Sequence, residues 1–406
     1  MARNGLGPTR SKAPGKALIA GGGVAALEAM LALRKLAYDR LEVELLAPQR
    51  DFVYRPLAVA EPFGLGGPRR FDLEALTHGV GAGYRADAVE GVDSERKTIR
   101  TRAGEELAFD TLLIACGARM REGIPGAITF WGTGDASRFQ SLLRELETGV
   151  ASEVVFCMPG RTGWPLPLYE LALMTAAHLA ERRSGDPRLT IATSEASPLE
   201  LFGAQASAAV RDLLERRGIG LCCSCYPVEV DANGLRIVPG GHLSADRVVV
   251  IPRLEGPRLE GVPCDDDGFI PTDSFCQVHG LENAGVYAAG DATAFPVKQG
   301  GLAAQQADAA AELIAAEVGA PIDPTPFRPV LRGLLLTGAE PSYLRAEITG
   351  GCGETSVAGS EPLWWPPGKI AGRYLAPHLA SLGKAEFEPP PPVRSGQVLV
   401  EVELVP

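Results

Sequence analysis

The sequence predicts an α/β fold with two parallel sheets, and three observations lead to this prediction. An apolar strand at 17–20 runs through a glycine turn into an Ala/Leu-rich helix, and the strand LEVELLAP follows. The same order restarts with the strand SEVVFC. At 406 residues the chain is also long for a single core. Because a helix between two strands returns the chain to the same end of a sheet, both units predict parallel strands.

The composition is that of a folded protein, and the charge excludes one class of partner. Hydrophobic residues make up 46% of the chain and charged residues 22%, which is typical of globular proteins. With a net charge of −11, we expect no basic face that would hold nucleic acid or anionic lipid through phosphate contacts. We therefore expect no nucleic-acid partner.

The sequence shows no sign of export or of a membrane span. The basic, Gly/Pro-rich stretch 1–16 lacks the apolar core of a secretory signal, and no apolar run is long enough to cross a bilayer. The eight cysteines have no regular spacing, which is typical of reduced thiols. We predict a cytoplasmic protein, with peripheral contact at the inner face of the membrane as an alternative. LCCSCY is interpreted as part of one strand, so we expect no metal site.

The first glycine turn predicts a site for a dinucleotide. Gly21, Gly23 and Ala26 fit the pattern G-x-G-x-x-G/A between a strand and a helix. The first glycine allows the tight turn, the second lets a diphosphate approach the backbone, and the small third residue lets helix and strand pack closely. The helix N-terminus then offers free N–H groups to the phosphates. An ordinary glycine-rich turn is the alternative.

One expected partner of that turn is missing. The acidic residue that binds an adenosine ribose should fall at 47–49, where the sequence has Ala-Pro-Gln. Gln49 can still bond a ribose hydroxyl as a neutral group.

The order of motifs predicts three parts. A second strand, loop and helix begin at about 151, and the chain returns to the first motif set at about 268. We therefore predict two Rossmann-like dinucleotide-binding domains, the first discontinuous (15–150 and 268–326) and the second at 151–267. A C-terminal α+β segment follows at 327–406, with two strands, a broken helix, a proline run and a last alternating strand.

Several segments resemble one known family of flavoproteins. FDTLLIACGA and VYAAGDATAFPVKQGGLAAQQADAAA resemble a strand and the second FAD signature of pyridine nucleotide-disulfide oxidoreductases. RDFVYRPLAVAEPF and KQGGLAAQQA are most similar to the branch that holds sulfide:quinone oxidoreductases and type II NADH dehydrogenases. The resemblance covers about residues 15 to 380 and implies FAD as the cofactor.

The resemblance also implies roles for single residues. Gly290 and Asp291 would meet the ribityl and diphosphate region, and Lys298 would lie beside a helix N-terminus that faces the flavin, unless it is a solvated loop lysine. Arg55 would reach FAD or line the substrate opening, with a surface position as the alternative. Cys116 would be a small thiol near the cofactor. The residues assigned to FAD are Gly21, Gly23, Ala26, Gln49, Arg55, Cys116, Gly117, Gly290, Asp291, Lys298, Gln299 and Gly301.

The second turn departs from the phosphate-binding pattern. Its glycine positions hold Met158, Gly160 and Gly163. Methionine does not adopt a positive φ at low cost, Pro159 lacks an N–H, and Trp164 is bulky at the start of the helix. The sequence therefore disfavours NAD(P)H in the usual pose.

Sulfide:quinone oxidoreductases share that loss but depend on cysteines near the flavin. By resemblance, those positions fall at Trp131, at Gly163 or Trp164, and near Leu335, and none is cysteine here. Cys352, interpreted as a loop residue, is the remaining candidate for a catalytic cysteine.

Glu170 in LYELA aligns with a helix glutamate of type II dehydrogenases and is a candidate for proton delivery to a quinone. A structural pair with Arg or Lys is the alternative.

The segment 364–384 has an apolar stripe with Lys369, Arg373 and Lys384, as in a membrane-surface helix. Docking on the protein's own core or on a second copy in a homodimer is the alternative.

The sequence thus predicts an FAD-dependent oxidoreductase similar to sulfide:quinone oxidoreductases. Electrons would pass from a directly bound small-molecule donor through FAD to a quinone or another acceptor. The alternatives are an NAD(P)H:quinone reductase, and a flavin-binding interaction or sensing protein with little turnover.

Overall fold

The computed structural model of the protein describes residues 13–132, 134, 136–160, 163–183, 185–349 and 352–384. The proline run and the last predicted strand lie outside the described residues, as does most of the basic N-terminal stretch.

The described residues form 23 strands and seven α-helices. The strands are β1 Gly15–Ala20, β2 Leu41–Leu46, β3 Asp51–Tyr54, β4 Arg69–Asp72, β5 Gly83–Arg85, β6 Val89–Asp93, β7 Thr98–Thr101, β8 Glu106–Ala108, β9 Thr111–Ile114, β10 Arg119–Arg121, β11 Ile128–Thr129, β12 Glu153–Cys157, β13 Arg188–Ala192, β14 Gly220–Cys222, β15 Tyr226–Asp231, β16 Gly234–Val238, β17 Gly241–Ser244, β18 Arg247–Val250, β19 Arg253–Glu255, β20 Val286–Ala288, β21 Val330–Leu335, β22 Ser342–Thr349 and β23 Cys352–Gly359. The helices are α1 Val24–Leu36, α2 Leu73–His78, α3 Ala136–Glu147, α4 Leu166–Arg182, α5 Gly203–Arg216, α6 Gly300–Glu317 and α7 Leu375–Leu379.

The first parallel sheet has the order β20-β9-β1-β2-β5. Side chains of β1 alternate between two cores, as the period of two in a strand requires. Ala17 and Ile19 pack with α1 and α6, whereas Leu18 and Ala20 pack against the small antiparallel sheet β6-β7-β8. Alanines on α1 and α6 share the first core, so small side chains bring these two helices close together.

The second parallel sheet has the order β11-β18-β12-β13-β14. Its central strand β12 is buried on both faces, and Cys157 at its end is fully buried. The two sheets confirm the predicted α/β fold of the Rossmann type. Strand β20 joins the first sheet although it follows the second in sequence, whereas the exact domain boundaries stay a prediction.

The interpretation of LCCSCY as one strand is wrong. Strand β14 ends at Cys222, Ser224 takes a positive φ of 53°, and β15 pairs in a different sheet. Within the described ranges, no group of three or more His, Cys, Asp or Glu side chains could hold a metal ion.

The C-terminal sheet has three antiparallel strands, β21-β22-β23, where the sequence predicts two. Cys352 is therefore not a loop residue, because it pairs with Thr349 at the start of β23. Its side chain lies outside what the structure describes.

The segment 364–384 is docked on the protein itself. Only α7 and one following turn are helical, since prolines and glycines interrupt the chain before it. Ile370, Leu375 and Leu379 are buried in the core of the first sheet. The carboxylate of Glu28, itself buried in α1, accepts hydrogen bonds from the backbone N–H groups of Tyr374 (2.7 Å) and Leu375 (2.8 Å).

This docking favours the predicted alternative of contact with the protein's own core over a membrane-surface helix. Leu382 and Trp365 stay exposed. No α-helix in the described part of the chain combines the length and apolar character that a bilayer span requires.

Candidate functional site

A cavity of about 280 Å³ lies where the N-terminal ends of α4 and α6 meet strand β21. Its walls are mainly apolar and aromatic, and a few charged side chains interrupt them. The apolar residues are Pro56, Ala58, Val59, Met120, Phe130, Trp131, Met158, Trp164, Leu166, Pro167, Ile251, Pro252, Leu254 and Ile370, and the charged ones are Arg55, Glu170, Lys298, Arg332 and Lys369.

The glycine turn between β1 and α1 has the geometry of a phosphate cradle. Gly21 has a φ of +136°, and a Cβ there would clash with the carbonyl oxygen of Ala115. Gly23 caps α1 without any side-chain hydrogen bond, and a Cβ at Gly23 would meet no atom within 4 Å in the described part of the chain. Ala26 is completely buried. Open space and uncapped N–H groups fit a diphosphate at this helix N-terminus.

Residues assigned to the adenosine and flavin ends of a dinucleotide lie around the same turn. The side-chain nitrogen of Gln49 is 2.8 Å from the position of a Cβ at Gly22, and Gln49 is exposed. The backbone nitrogen of Cys116 lies 2.9 Å from the position of a Cβ at Gly21. Gly117 follows with a φ of +72° and open space at its Cα.

The second FAD motif lies against the first. Gly290 has a φ of +78°, its N–H donates to Oε1 of Gln306 (2.7 Å), and a Cβ there would come within 3.1 Å of Ala25 in α1. The next residue, Asp291, has its pKa raised by burial, although the positive charges of Lys298 and Arg55 favour its ionised form. These contacts bring two motifs that are distant in sequence to one place.

Lys298 is buried rather than a solvated loop lysine. Its ammonium donates to the carbonyl of Thr293 and lies 3.7 Å from the ring centre of Phe269. Burial lowers the pKa of Lys298 to about 8, although Asp291 and Asp265 oppose this shift. The site therefore holds a cation that releases its proton more readily than an exposed lysine.

Gln299 fixes the start of α6. Its Oε1 accepts from the N–H of Leu302 (2.8 Å), and its Nε2 donates to the carbonyl of Arg332 on β21 (3.0 Å). Gly300 lines the cavity, and Gly301 is buried behind it. The N-terminal end of α6 is thus fixed at the cavity wall.

Glu170 and Lys369 form a buried ion pair in the cavity wall. Oε1 of Glu170 accepts from Nζ of Lys369 and from the N–H of Leu336 (2.8 Å). Burial raises the pKa of Glu170, although the charge of Lys369 acts in the opposite direction. The predicted alternative of a pair with lysine is thus present, and the pair also faces the cavity. The interpretation of Lys369 as a lysine on a membrane surface is wrong, since it is only 8% exposed.

The second turn uses its own backbone groups internally. The N–H of Gly163 donates to the carbonyl of Pro296 (3.2 Å), and the N–H of Lys298 donates to the carbonyl of Gly163 (3.3 Å). Prolines 165 and 167 remove two N–H groups where α4 begins. Within the described part of the turn, one N–H is thus bonded internally and two are absent, and the loss of the phosphate site stays a prediction.

The sequence analysis missed an acidic residue at the end of β13, the position that binds a ribose in dinucleotide folds. Glu195 points inward, where Tyr169 (2.7 Å) and Thr193 (2.9 Å) donate to its Oε2. Its Oε1 is buried without a hydrogen-bond partner in the described chain, and burial raises its pKa to about 7. The position of Glu195 shortly after a strand could have identified this residue from the sequence. Nothing in the sequence shows that its side chain points inward.

The three positions that the family resemblance assigns to cysteines are partly in the cavity. Trp131, Gly163 and Trp164 line it, whereas Leu335, the last residue of β21, is buried in the core. None of the described cavity residues is a cysteine. Cys352 begins the strand at the outer edge of the C-terminal sheet, two strands from β21.

Comparison with known proteins identifies the family. The model of the family described as pyridine nucleotide-disulphide oxidoreductase matches residues 15–311. The chain belongs to this family. Proteins of the family typically bind FAD, and the cradle at Gly23 has the open geometry that such a cofactor needs.

The chain is similar to a sulfide-quinone reductase of Aquifex aeolicus (strain VF5), with 28% identity over 174 residues. That alignment covers 41% of this chain and only 39% of the relative. The crystal structure of the sulfide:quinone oxidoreductase from Aquifex aeolicus is similar with a TM-score of 0.75 and 20% identity, covering 91% of this chain and 96% of that chain.

Two other solved structures share the fold. A ferredoxin reductase from Rhodopseudomonas palustris has a TM-score of 0.62 at 18% identity, over 82% of this chain and 83% of that one. NDH2 from Plasmodium falciparum in complex with NADH has a TM-score of 0.55 at 18% identity, over 69% and 64%. Identities this low show a common fold, and the site residues must decide the chemistry.

The glycine cradle gives a first testable prediction. Gly23→Ala should fold with an unchanged melting temperature but retain at least about tenfold less FAD, because the new methyl group enters the open space for a diphosphate. Gly21→Ala should instead lose about 2 kcal/mol or more of stability, since it combines a positive φ with a backbone clash. Thermal unfolding and the flavin content of the purified variants measure both effects. Full flavin retention by Gly23→Ala would show that the cradle binds no phosphate.

Glu195 gives a second prediction, on pH. Because its pKa rises from the ordinary 4.5 to about 7 on folding, the folded protein binds more protons than the unfolded chain between these values. Stability should therefore fall by roughly 3 kcal/mol as the pH rises through this window. Glu195→Gln should flatten this part of the profile, whereas Glu42→Gln at an exposed position should not. Equal pH slopes of the melting temperature in wild type and Glu195→Gln would contradict the assignment.

Proposed function

We propose that the protein is an FAD-dependent oxidoreductase that accepts electrons from a donor bound directly beside the flavin and passes them to a quinone or another acceptor. One observation carries this proposal. The first phosphate turn is open at Gly23 and leads into a helix start without proline, whereas at the second turn Pro165 and Pro167 remove two N–H groups and the N–H of Gly163 is bonded to Pro296. A chain with one intact phosphate turn would bind one dinucleotide, so its electrons would come from a donor other than NAD(P)H.

In this proposal FAD, when bound, supplies the two-electron carrier between donor and acceptor. The turn at Gly21 and Gly23 would hold its diphosphate, Gln49 its ribose, and Asp291 a ribityl hydroxyl. Lys298 and the N-terminal end of α6 would place positive potential beside the flavin, which favours its reduced, anionic form. Residues 15–150 and 268–326 would form the FAD domain, 151–267 a domain with a degenerate phosphate loop, and 327–406 the segment at the acceptor or dimer side.

Glu170 and Lys369 would serve the acceptor. A quinone takes up two electrons and two protons to become a quinol, so its oxygens need a proton source inside an apolar cavity. Burial raises the pKa of Glu170, which lets its carboxyl group keep a proton to a higher pH than an exposed glutamate does. Lys369 would hold the carboxylate in place after the proton leaves, since the two groups are in direct contact.

Rapid mixing under anaerobic conditions tests the proposed source of electrons. Sulfide and other small donors should bleach the flavin absorbance of the purified holoprotein, whereas NADH should not. Bleaching by NADH alone would favour the NAD(P)H:quinone reductase, and oxidised flavin with every donor would favour a flavin-binding sensing protein. Either result would contradict the proposal.

Glu170→Gln should slow reoxidation of the reduced flavin by a quinone by about 10²-fold or more, because it removes the proton donor but keeps the side-chain shape. FAD content and the rate of reduction by the donor should not change. Since the variant leaves Lys369 buried without its partner, it should also lose stability. The double variant Glu170→Gln/Lys369→Met removes the pair completely and should restore stability without restoring the rate. Wild-type reoxidation in both variants would exclude the proton role.

A further inference from the structure

The cavity is positively charged although the whole chain is acidic. Its described lining contains four cationic side chains and one carboxylate, whereas the chain carries a net charge of −11. Three of these four cations are either bonded or exposed. Lys369 pairs with Glu170, Lys298 donates to the carbonyl of Thr293, and Arg55 is exposed.

Arg332 is the exception among the described residues. It lies on β21, half-buried, and its guanidinium makes no hydrogen bond or ion pair with the described chain. Glu347 is close enough to influence its charge, but the carboxylate of Glu347 accepts from Arg345 instead (2.9 Å). Burial lowers the pKa of Arg332, and the neighbouring charge of Arg345 adds to this effect. The guanidinium is therefore partly desolvated without a direct hydrogen-bond partner in the described chain, and the charge of Glu347 offsets only part of that cost.

The wall around Arg332 is suited to an apolar body rather than to a small inorganic ion. Phe130, Trp131 and Trp164 supply aromatic surface, and aliphatic side chains such as Leu166 and Ile251 complete it. Aromatic and aliphatic walls with one convergent charge are the usual form of a site for an organic molecule with one charged end.

We propose that this cavity binds an organic carboxylate, with the carboxylate group on Arg332 and the apolar body against Trp131 and Trp164. The planar guanidinium presents two parallel N–H donors, which match the two oxygens of a carboxylate. A hydrosulfide ion has no second oxygen and no apolar body, so it would use little of this surface. The inference rests on the proposed function, which places an electron donor or acceptor in a cavity beside the flavin, and it names a chemical class of ligand that Arg332 would hold there.

Three probes that share the same phenylpropyl group but differ in charge test the inference. 3-Phenylpropanoate, 3-phenylpropan-1-ol and 3-phenylpropylammonium are titrated into the oxidised holoprotein, and binding is followed by calorimetry. The wild type should bind the carboxylate at least about tenfold more tightly than the alcohol, and the ammonium should bind least. Arg332→Met should bind the carboxylate and the alcohol equally, because it keeps the apolar stem and removes the charge.

Arg345→Met is the matched control. Arg345 lies directly opposite Arg332 in the register of β21 and β22, is bonded to Glu347, and does not line the cavity. This variant should keep the preference for the carboxylate. Arg332→Lys should keep part of it, since the charge stays but the paired donors are lost.

Equal affinity of the wild type for the carboxylate and the alcohol would overturn the inference, and so would a preference that persists in Arg332→Met. These outcomes differ from a failure of the proposed function. If sulfide bleached the flavin but no carboxylate preference appeared, the inference alone would fail. If the preference appeared but only NADH bleached the flavin, the proposed function would fail and the binding site would stand.

Discussion

Two backbone hydrogen bonds, from Gly163 to Pro296 and from Lys298 to Gly163, join the second parallel sheet to the segment that opens α6. The pairing needs a residue without a side chain at 163, where φ is +153°. It engages the N–H of Gly163, a donor close to the start of α4, and Trp164 and Lys298 both line the cavity next to this pairing. The same backbone pairing therefore determines both the conformation at Gly163 and the shape of the cavity wall.

Burial of charge is the second constraint on the site. Glu170 and Lys369 are both nearly inaccessible, so each would be strongly destabilising without the other. Lys298 is buried as well and relies on a carbonyl and an aromatic ring. Such groups cost stability, and proteins keep them mostly where charge is used in binding or proton transfer. Their concentration around one apolar cavity is the physical reason to regard it as the functional site.

Membership of the family does not by itself decide the reaction. Solved structures with this fold include a sulfide:quinone oxidoreductase, a ferredoxin reductase and an NDH2 bound to NADH. The chain has 20% identity or less to each of these three, and its described cavity lining contains no cysteine. The site features that this chain itself offers are the bonded Gly163, the inward-facing Glu195 and the guanidinium of Arg332. The reaction therefore has to be argued from these residues.

The sequence by itself determined the elements whose signals are local. The continuous apolar run in β1, the glycine turn and the repeated strand–helix order predicted the two parallel sheets, and the G-x-G spacing marked the cradle. Local patterns did not determine the place of 364–384, because an amphipathic stripe is compatible with a membrane, a partner or the protein's own core. They also failed at Cys352, where pairing with β22 makes a strand of an expected loop. Only the tertiary structure brought Lys369 to Glu170, 199 residues away, turned Glu195 inward and left Arg332 in the cavity without a hydrogen-bond partner among the described residues. Contacts between distant segments leave no period or spacing in a single sequence, because they depend on how whole sheets and helices pack.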